Sequence, residues 1–232
     1  MASTFNSFDD RTALAESLAD RVAGVLGDAI AERGEAVIAV SGGSTPKMFF
    51  RALSNRDIDW DKVCVTLVDE RFVPADHPRS NHLLVAQNLL QGKAVAAEFV
   101  PLFHAAETAE DAARTATEQT SELGTPFDVV ILGMGNDGHT ASFFPGGDNL
   151  ERALDTGLPP EVITMEAEAA GETRLTFTLS ALDDAGLLVL HIEGAEKKSV
   201  LDQALAEGAD EAMPIRAVLR HASSPVEIYW AP

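Results

Sequence analysis

Apolar residues recur along this chain with two periods, and the alternation between them outlines a fold. Leu14, Leu18, Val22, Val25, Leu26 and Ile30 fall at helical spacing and predict an amphipathic first helix from about Asp9 to Arg33, stopped near Gly34. Unbroken apolar runs follow at Val37 to Val40, Val63 to Val68, Phe127 to Leu132 and Leu187 to Ile192. Runs without polar alternation are strands buried on both faces, the habit of parallel sheets. Val162 to Met165, Arg174 to Thr178 and Val226 to Trp230 add three more strands. The second alternates Arg174, Thr176 and Thr178 with Leu175, Phe177 and Leu179, which suits an edge or a cleft-flanking position. Helices are predicted from Pro46 to about Leu53, beyond a cap at Ser80 through Leu83, Leu84, Asn88 and Leu89, from Glu107 to Leu123 on the outside, and after Gly194 to about Ala206. The predicted fold class is α/β: one Rossmann-like domain over 1–232, with a mainly parallel sheet flanked by helices.

Polar signals cluster where the apolar runs end. Ser41, Gly42, Gly43, Ser44 and Thr45 follow the first strand and offer backbone N–H groups and hydroxyls to an anion, although a strand-to-helix turn uses the same residues for geometry alone. Asp69, Glu70 and Arg71 follow Val68 and read either as a salt-bridged surface turn or as a guanidinium presented to a substrate oxygen. Gly133, Gly135 and Gly138, three glycines in six residues, surround Asp137 and lead to His139. Gly194 to Lys197 follows the strand ending at Ile192. Open α/β sheets bind ligands outside the carboxyl ends of their strands, so all four loops are expected at one cleft, with Arg174 able to reach it.

The glycine spacing also matches G-x-G-x-x-G, but Pro145, Gly146 and Gly147 interrupt the long helix that a dinucleotide site needs. His77 and His82, five residues apart across Pro78, do not share a helical face and make a poor metal pair. His104 and His191 sit beside or within apolar segments and read as structural, and His221 lies near an exposed turn.

Composition narrows the partners. Asp and Glu outnumber Lys and Arg 37 to 17, a formal net charge of −20, so the global field repels nucleic acid and anionic membrane surfaces. An anionic substrate then needs a local cationic pocket. Cys64, the single cysteine, lies in an apolar run and excludes an internal disulfide framework. The N-terminus lacks a basic and an apolar leader region, and no apolar run reaches about 18 residues, so a cytoplasmic chain is expected, with a monomer as the working oligomeric state.

A cleft holding an imidazole, carboxylates, cations and an anion-binding turn, without a G-x-S-x-G elbow, suits direct attack by water on a carbonyl. His139 is the candidate general base, Asp137 or Asp69 the candidate orienting acid, and Arg71 the candidate oxyanion partner, while Arg174, Lys197 and the Ser41–Thr45 turn hold a distant phosphate. SGGSTP, VDERFVPADHPRSN, ILGMGNDGHTASFFP, ETRLTFT and EGAEKK resemble, in that order, the pattern of the 6-phosphogluconolactonase family from about Val37 to Trp230. The resemblance implies hydrolysis of 6-phospho-D-glucono-1,5-lactone to 6-phosphogluconate, in the oxidative pentose phosphate pathway, without metal or organic cofactor. It also implies His139 as the proton-transfer residue beside Asp137, with Arg71, Arg174 and Lys197 binding substrate. The related glucosamine-6-phosphate deaminase/isomerase group typically has Asn before its Gly-His pair and an Asn-Glu-Pro tail; this chain has Asp137 and Ser142-Phe143-Phe144-Pro145. A silent sugar-phosphate sensor is the third reading.

Overall fold

The computed structural model describes residues 3–232. In chain order its strands and helices are β1 (Thr4–Ser7), α1 (Arg11–Arg33), β2 (Ala36–Val40), α2 (Lys47–Leu53), β3 (Val63–Leu67), β4 (Asp69–Arg71), α3 (Asn81–Asn88), β5 (Glu98–Phe99), α4 (Ala109–Ser121), β6 (Val129–Leu132), α5 (Leu150–Leu154), β7 (Val162–Met165), β8 (Arg174–Phe177), β9 (Leu187–Glu193), α6 (Ala195–Leu205), α7 (Ile215–His221) and β10 (Val226–Ala231). Local chemistry sets the helix ends. The Asp10 carboxylate accepts from Ala13 N at 2.8 Å to start α1, and Gly34 at φ 86° ends it in the left-handed region. Ser80 and Thr108 cap α3 and α4 in the same way, through Leu83 N and Asp111 N.

Seven strands form one sheet in the order β1-β10-β9-β6-β2-β3-β5, and every adjacent pair in it is parallel. The predicted α/β class with a mainly parallel sheet is therefore correct. Its central strands β2 and β6 are buried along their whole length, which is why they read as unbroken apolar runs. α1 packs against β2, β6, β9 and β10 and buries Leu14, Leu18, Val22 and Leu26 on that side. No helix among the described residues is long and apolar enough to cross a membrane.

A second sheet departs from the sequence reading. β4, β8 and β7 form an antiparallel three-stranded sheet in that order, covered by α4. Asp69, Glu70 and Arg71 are thus a strand and not a surface turn, and Arg174 stands in the middle strand and not at an edge. One residue joins the two sheets: the fully buried Val68 donates its N–H to Val40 O in the large sheet at 3.0 Å, and its carbonyl accepts from Phe177 N in the small one at 3.1 Å.

Glu70 shows what the small sheet does for α3. Its buried Oε1 accepts from Arg71 N at 2.7 Å and Asn81 N at 2.8 Å, and its Oε2 from Ser80 Oγ at 2.9 Å and His82 N at 2.8 Å. Three backbone donors and a hydroxyl hold this carboxylate at a helix N-terminus, the arrangement the helix dipole favours. Burial still pushes its carboxyl above the ordinary glutamate value, against those four bonds.

Candidate active site

The carboxyl ends of β2 and β6, the start of α6 and the Arg71 and Arg174 strands enclose a cavity of about 320 Å³. It is lined by Ser41, Gly42, Gly43, Ser44, Thr45, Asp69, Arg71, His139, Arg174 and Lys197, so ten of the eleven sequence candidates meet there. The eleventh, Asp137, reaches it through His139.

The His139 turn is built by glycine. Gly138, at φ 79°, and Gly135 close it, with Gly138 N donating to Gly135 O at 3.2 Å and Gly135 N to His139 O at 2.8 Å. A Cβ on Gly135 would lie 2.1 Å from His139 Nδ1, so only glycine lets the imidazole fold back over the turn. Asp137 Oδ1 lies 2.6 Å from that Nδ1 and also accepts from His139 N at 3.1 Å. The hydrogen bond from the imidazole holds the Asp137 carboxyl down at about 2, against the cost of its burial. An acceptor on Nδ1 fixes the ring edge and leaves Nε2 for the cavity.

Opposite stands a cationic wall. Arg71 and Arg174 are direct partners in the β4–β8 register, and both Nε atoms are buried without a hydrogen-bond partner. Like charges facing across a strand pair repel unless an anion lies between them. Arg174, 8% exposed, gives Nη2 to Ala170 O at 2.7 Å, and burial, aided by Arg71, lowers its pKa. Asp69 supports this wall. Its Oδ2 accepts from Ser142 Oγ at 2.6 Å and lies 3.9 Å from Arg174 Nη1, while His139 is held by Asp137. Of the two candidate orienting acids, Asp137 is the one in contact with the His139 ring.

The first turn divides its labour. The Ser41 hydroxyl donates to Ile131 O at 2.9 Å and accepts from Gly133 N at 3.2 Å, so it braces β2 against β6. Gly42, Gly43, Ser44 and Thr45 line the cavity, with Gly43 at φ 94°. Lys197 reaches from the first turn of α6 and donates to Asn136 Oδ1, while Asn136 Nδ2 donates to Glu196 Oε1 at 2.7 Å. Burial lowers the Lys197 pKa. Lys198 pairs instead with Asp202.

Sequence reasoning did not single out several residues in or beside the cavity, four of which make telling contacts. Asn81 donates to Asp69 O at 2.9 Å and packs on Gly42, Phe144 lies against His139, Asn136 steadies Lys197, and His191, read as structural, is buried but lines the cavity. Asn81 and Phe144 stand inside VDERFVPADHPRSN and ILGMGNDGHTASFFP, so the motifs carried the signal although single-residue chemistry did not. No helix starts at Gly138; the next begins at Leu150, as the rejection of a dinucleotide turn requires. Among the described residues no group of three or more His, Cys, Asp or Glu is placed to hold a metal ion.

The family model described as glucosamine-6-phosphate isomerases/6-phosphogluconolactonase matches residues 9–230. The chain belongs to this family. Within the glucosamine-6-phosphate isomerase/6-phosphogluconolactonase family, a protein of Rhizobium meliloti named 6-phosphogluconolactonase is 64% identical over 232 residues, covering 100% of both chains. One of the same name from Mesorhizobium japonicum is 57% identical, covering 98% of this chain and 95% of its own. The crystal structure of a 6-phosphogluconolactonase from Shewanella baltica superposes with a TM-score of 0.95 at 44% identity, covering 99% of this chain and 98% of its own.

Proposed function

We propose that this chain hydrolyses 6-phospho-D-glucono-1,5-lactone to 6-phospho-D-gluconate. The observation that carries the reading is the pairing, across one cavity, of an Asp137-held imidazole with the facing guanidinium groups of Arg71 and Arg174. The names of the relatives at 64% and 57% identity support it. Water enters beside His139. Nε2 accepts one of its protons as the water oxygen bonds to C1, and the carbonyl electron pair moves onto the exocyclic oxygen. Arg71 faces that oxyanion, and Arg174, Lys197 and the Gly42–Thr45 turn hold the phosphate. Collapse restores the carbonyl and breaks the bond from C1 to the ring oxygen, which takes the proton back from His139. One water is consumed, no covalent enzyme intermediate forms, and the new carboxylic acid ionises to solvent. General-base help of this kind contributes about 10²- to 10⁴-fold. In this scheme Asp69 positions Arg174 and does not touch the water.

The test is a side-by-side assay with freshly generated lactone and with glucosamine 6-phosphate. Loss of lactone faster than its spontaneous hydrolysis, most of it abolished in a folded His139→Ala variant, supports the proposal. Turnover of glucosamine 6-phosphate alone moves the chain to the deaminase/isomerase branch, and binding of 6-phosphogluconate without turnover of either makes it a sensor.

A further inference from the structure

We infer that Phe144 is a positioning residue that fixes the plane of the His139 imidazole and its spacing from Arg174; the inference rests on the lactonase reading of the same site. The Phe144 ring lies with its centroid 4.4 Å from that of His139 at 34°, and the Arg174 guanidinium carbon sits over the same ring at 5.4 Å. One aromatic side chain therefore touches both the base and the cation that grips the phosphate. Its negative face attracts the guanidinium, and its bulk stops the imidazole.

His139 needs that stop. The bond from Nδ1 to Asp137 fixes one ring edge, but a ring held by one edge still swings about it and carries Nε2 with it. A flat surface against the ring face removes the swing. The backbone between His139 and Phe144 is shaped to supply one: Phe143 N donates to Thr140 O at 2.9 Å in a tight turn, and Ala141 within it sits at φ 47°, in the left-handed region alanine avoids. Next to it Ser142 is tied by its hydroxyl to Asp69, the acid beside Arg174. Gly147 N then donates to Phe144 O at 3.0 Å. A strained residue at 141, an anchored residue at 142 and a tilted ring in contact at 144 keep base and cation at a set distance. In the reaction, that distance places the attacking water between Nε2 and C1 when the phosphate is held at Arg174.

The test is a set of Phe144 variants made with His139 and with His139→Ala. Phe144→Leu should lower kcat about 30-fold and change KM less than about 3-fold, because misplacing a catalytic group by about 1 Å costs about 10²-fold. Phe144→Tyr, which keeps the ring, should stay within about 3-fold of the parent. In the His139→Ala background Phe144→Leu should change the residual rate less than about 2-fold, an outcome that general structural damage does not give. The His139 Cε1–H resonance should also lose the ring's shielding in Phe144→Leu. If Phe144→Leu does not fold, Phe144→Met, unbranched and better able to fill an irregular gap, replaces it. A folded variant with kcat within about 3-fold of the parent, or the same proportional loss with and without His139, overturns the inference. A wild-type protein with no lactone turnover overturns the lactonase reading instead, and the His139 resonance then decides independently whether Phe144 holds the imidazole.

Discussion

Replacing Asp137 by Asn isolates the contribution of a carboxylate to the proposed base. Asn keeps the size and still offers an oxygen to His139 Nδ1, so the substitution removes charge with little change of shape. The contact is short, 2.6 Å, and a hydrogen bond to a charged partner is worth about 1.5–3 kcal/mol, or about 10- to 150-fold in rate if it is made fully in the transition state. The two side chains remain 31% and 37% exposed, and solvent screening places the expectation in the lower part, about 10- to 50-fold. The loss should fall on kcat, with KM unchanged, because Asp137 meets the substrate only through His139. Its pH dependence follows from the carboxyl's depressed value. A group held at about 2 in the folded chain makes its ionic contribution above the unfolded carboxylate range and loses it as pH falls through about 2. The Asp137 carboxylate itself should therefore add no titration of its own to the parent rate across neutral pH. The assay couples 6-phosphogluconate formation to its NADP-linked dehydrogenase, with spontaneous hydrolysis subtracted. A variant within about 3-fold of the parent, or a loss confined to KM, would refute the reasoning.

Three other outcomes test the surroundings. Arg174→Met should raise KM about 10- to 100-fold with kcat nearly unchanged if the guanidinium serves uniform phosphate binding; a kcat effect alone would move it into the chemical step. Glu70→Gln keeps one acceptor oxygen but sets an amide N–H₂ against two buried donors, and should cost about 2–4 kcal/mol in urea unfolding. Gly42→Ala puts a Cβ 1.9 Å from the Oδ1 of buried Asn81, and should lower stability by about 1–3 kcal/mol and raise KM; an unchanged melting temperature would show that Asn81 yields freely.

Much of this site is legible in the chain because parallel strands announce themselves. Val37 to Val40 and Phe127 to Leu132 are apolar throughout, and the residues that follow them stand at the same edge whatever the loops do. The second sheet was hidden for the opposite reason. Asp69, Glu70 and Arg71 have no local preference for a strand, and only their pairing with Leu175 and its neighbours, over a hundred positions away, makes them one. Glu70 misled for a related reason: its partners are backbone N–H groups of another segment, which sequence chemistry does not display. β1 at the end of the sheet, with Phe5 half exposed and polar neighbours, carried no alternating signature. The choice between Asp69 and Asp137 was likewise spatial. His139 and Asp137 are two residues apart, yet so close a contact depends on a glycine at 135 leaving room.

Val68 gives the cavity a fixed gauge. One wall, the guanidinium pair, hangs from the small sheet, and the turns at Ser41 and His139 hang from the large one. Both are fastened to opposite sides of a single residue with no exposed surface. With the Ser142 hydroxyl cross-tying the His139 segment to Asp69 as well, the opening is built into the frame, and a ligand of matching size should need little ordering on binding. On the lactonase reading, rings of different girth should then be sorted by the frame itself as well as by contact with the base.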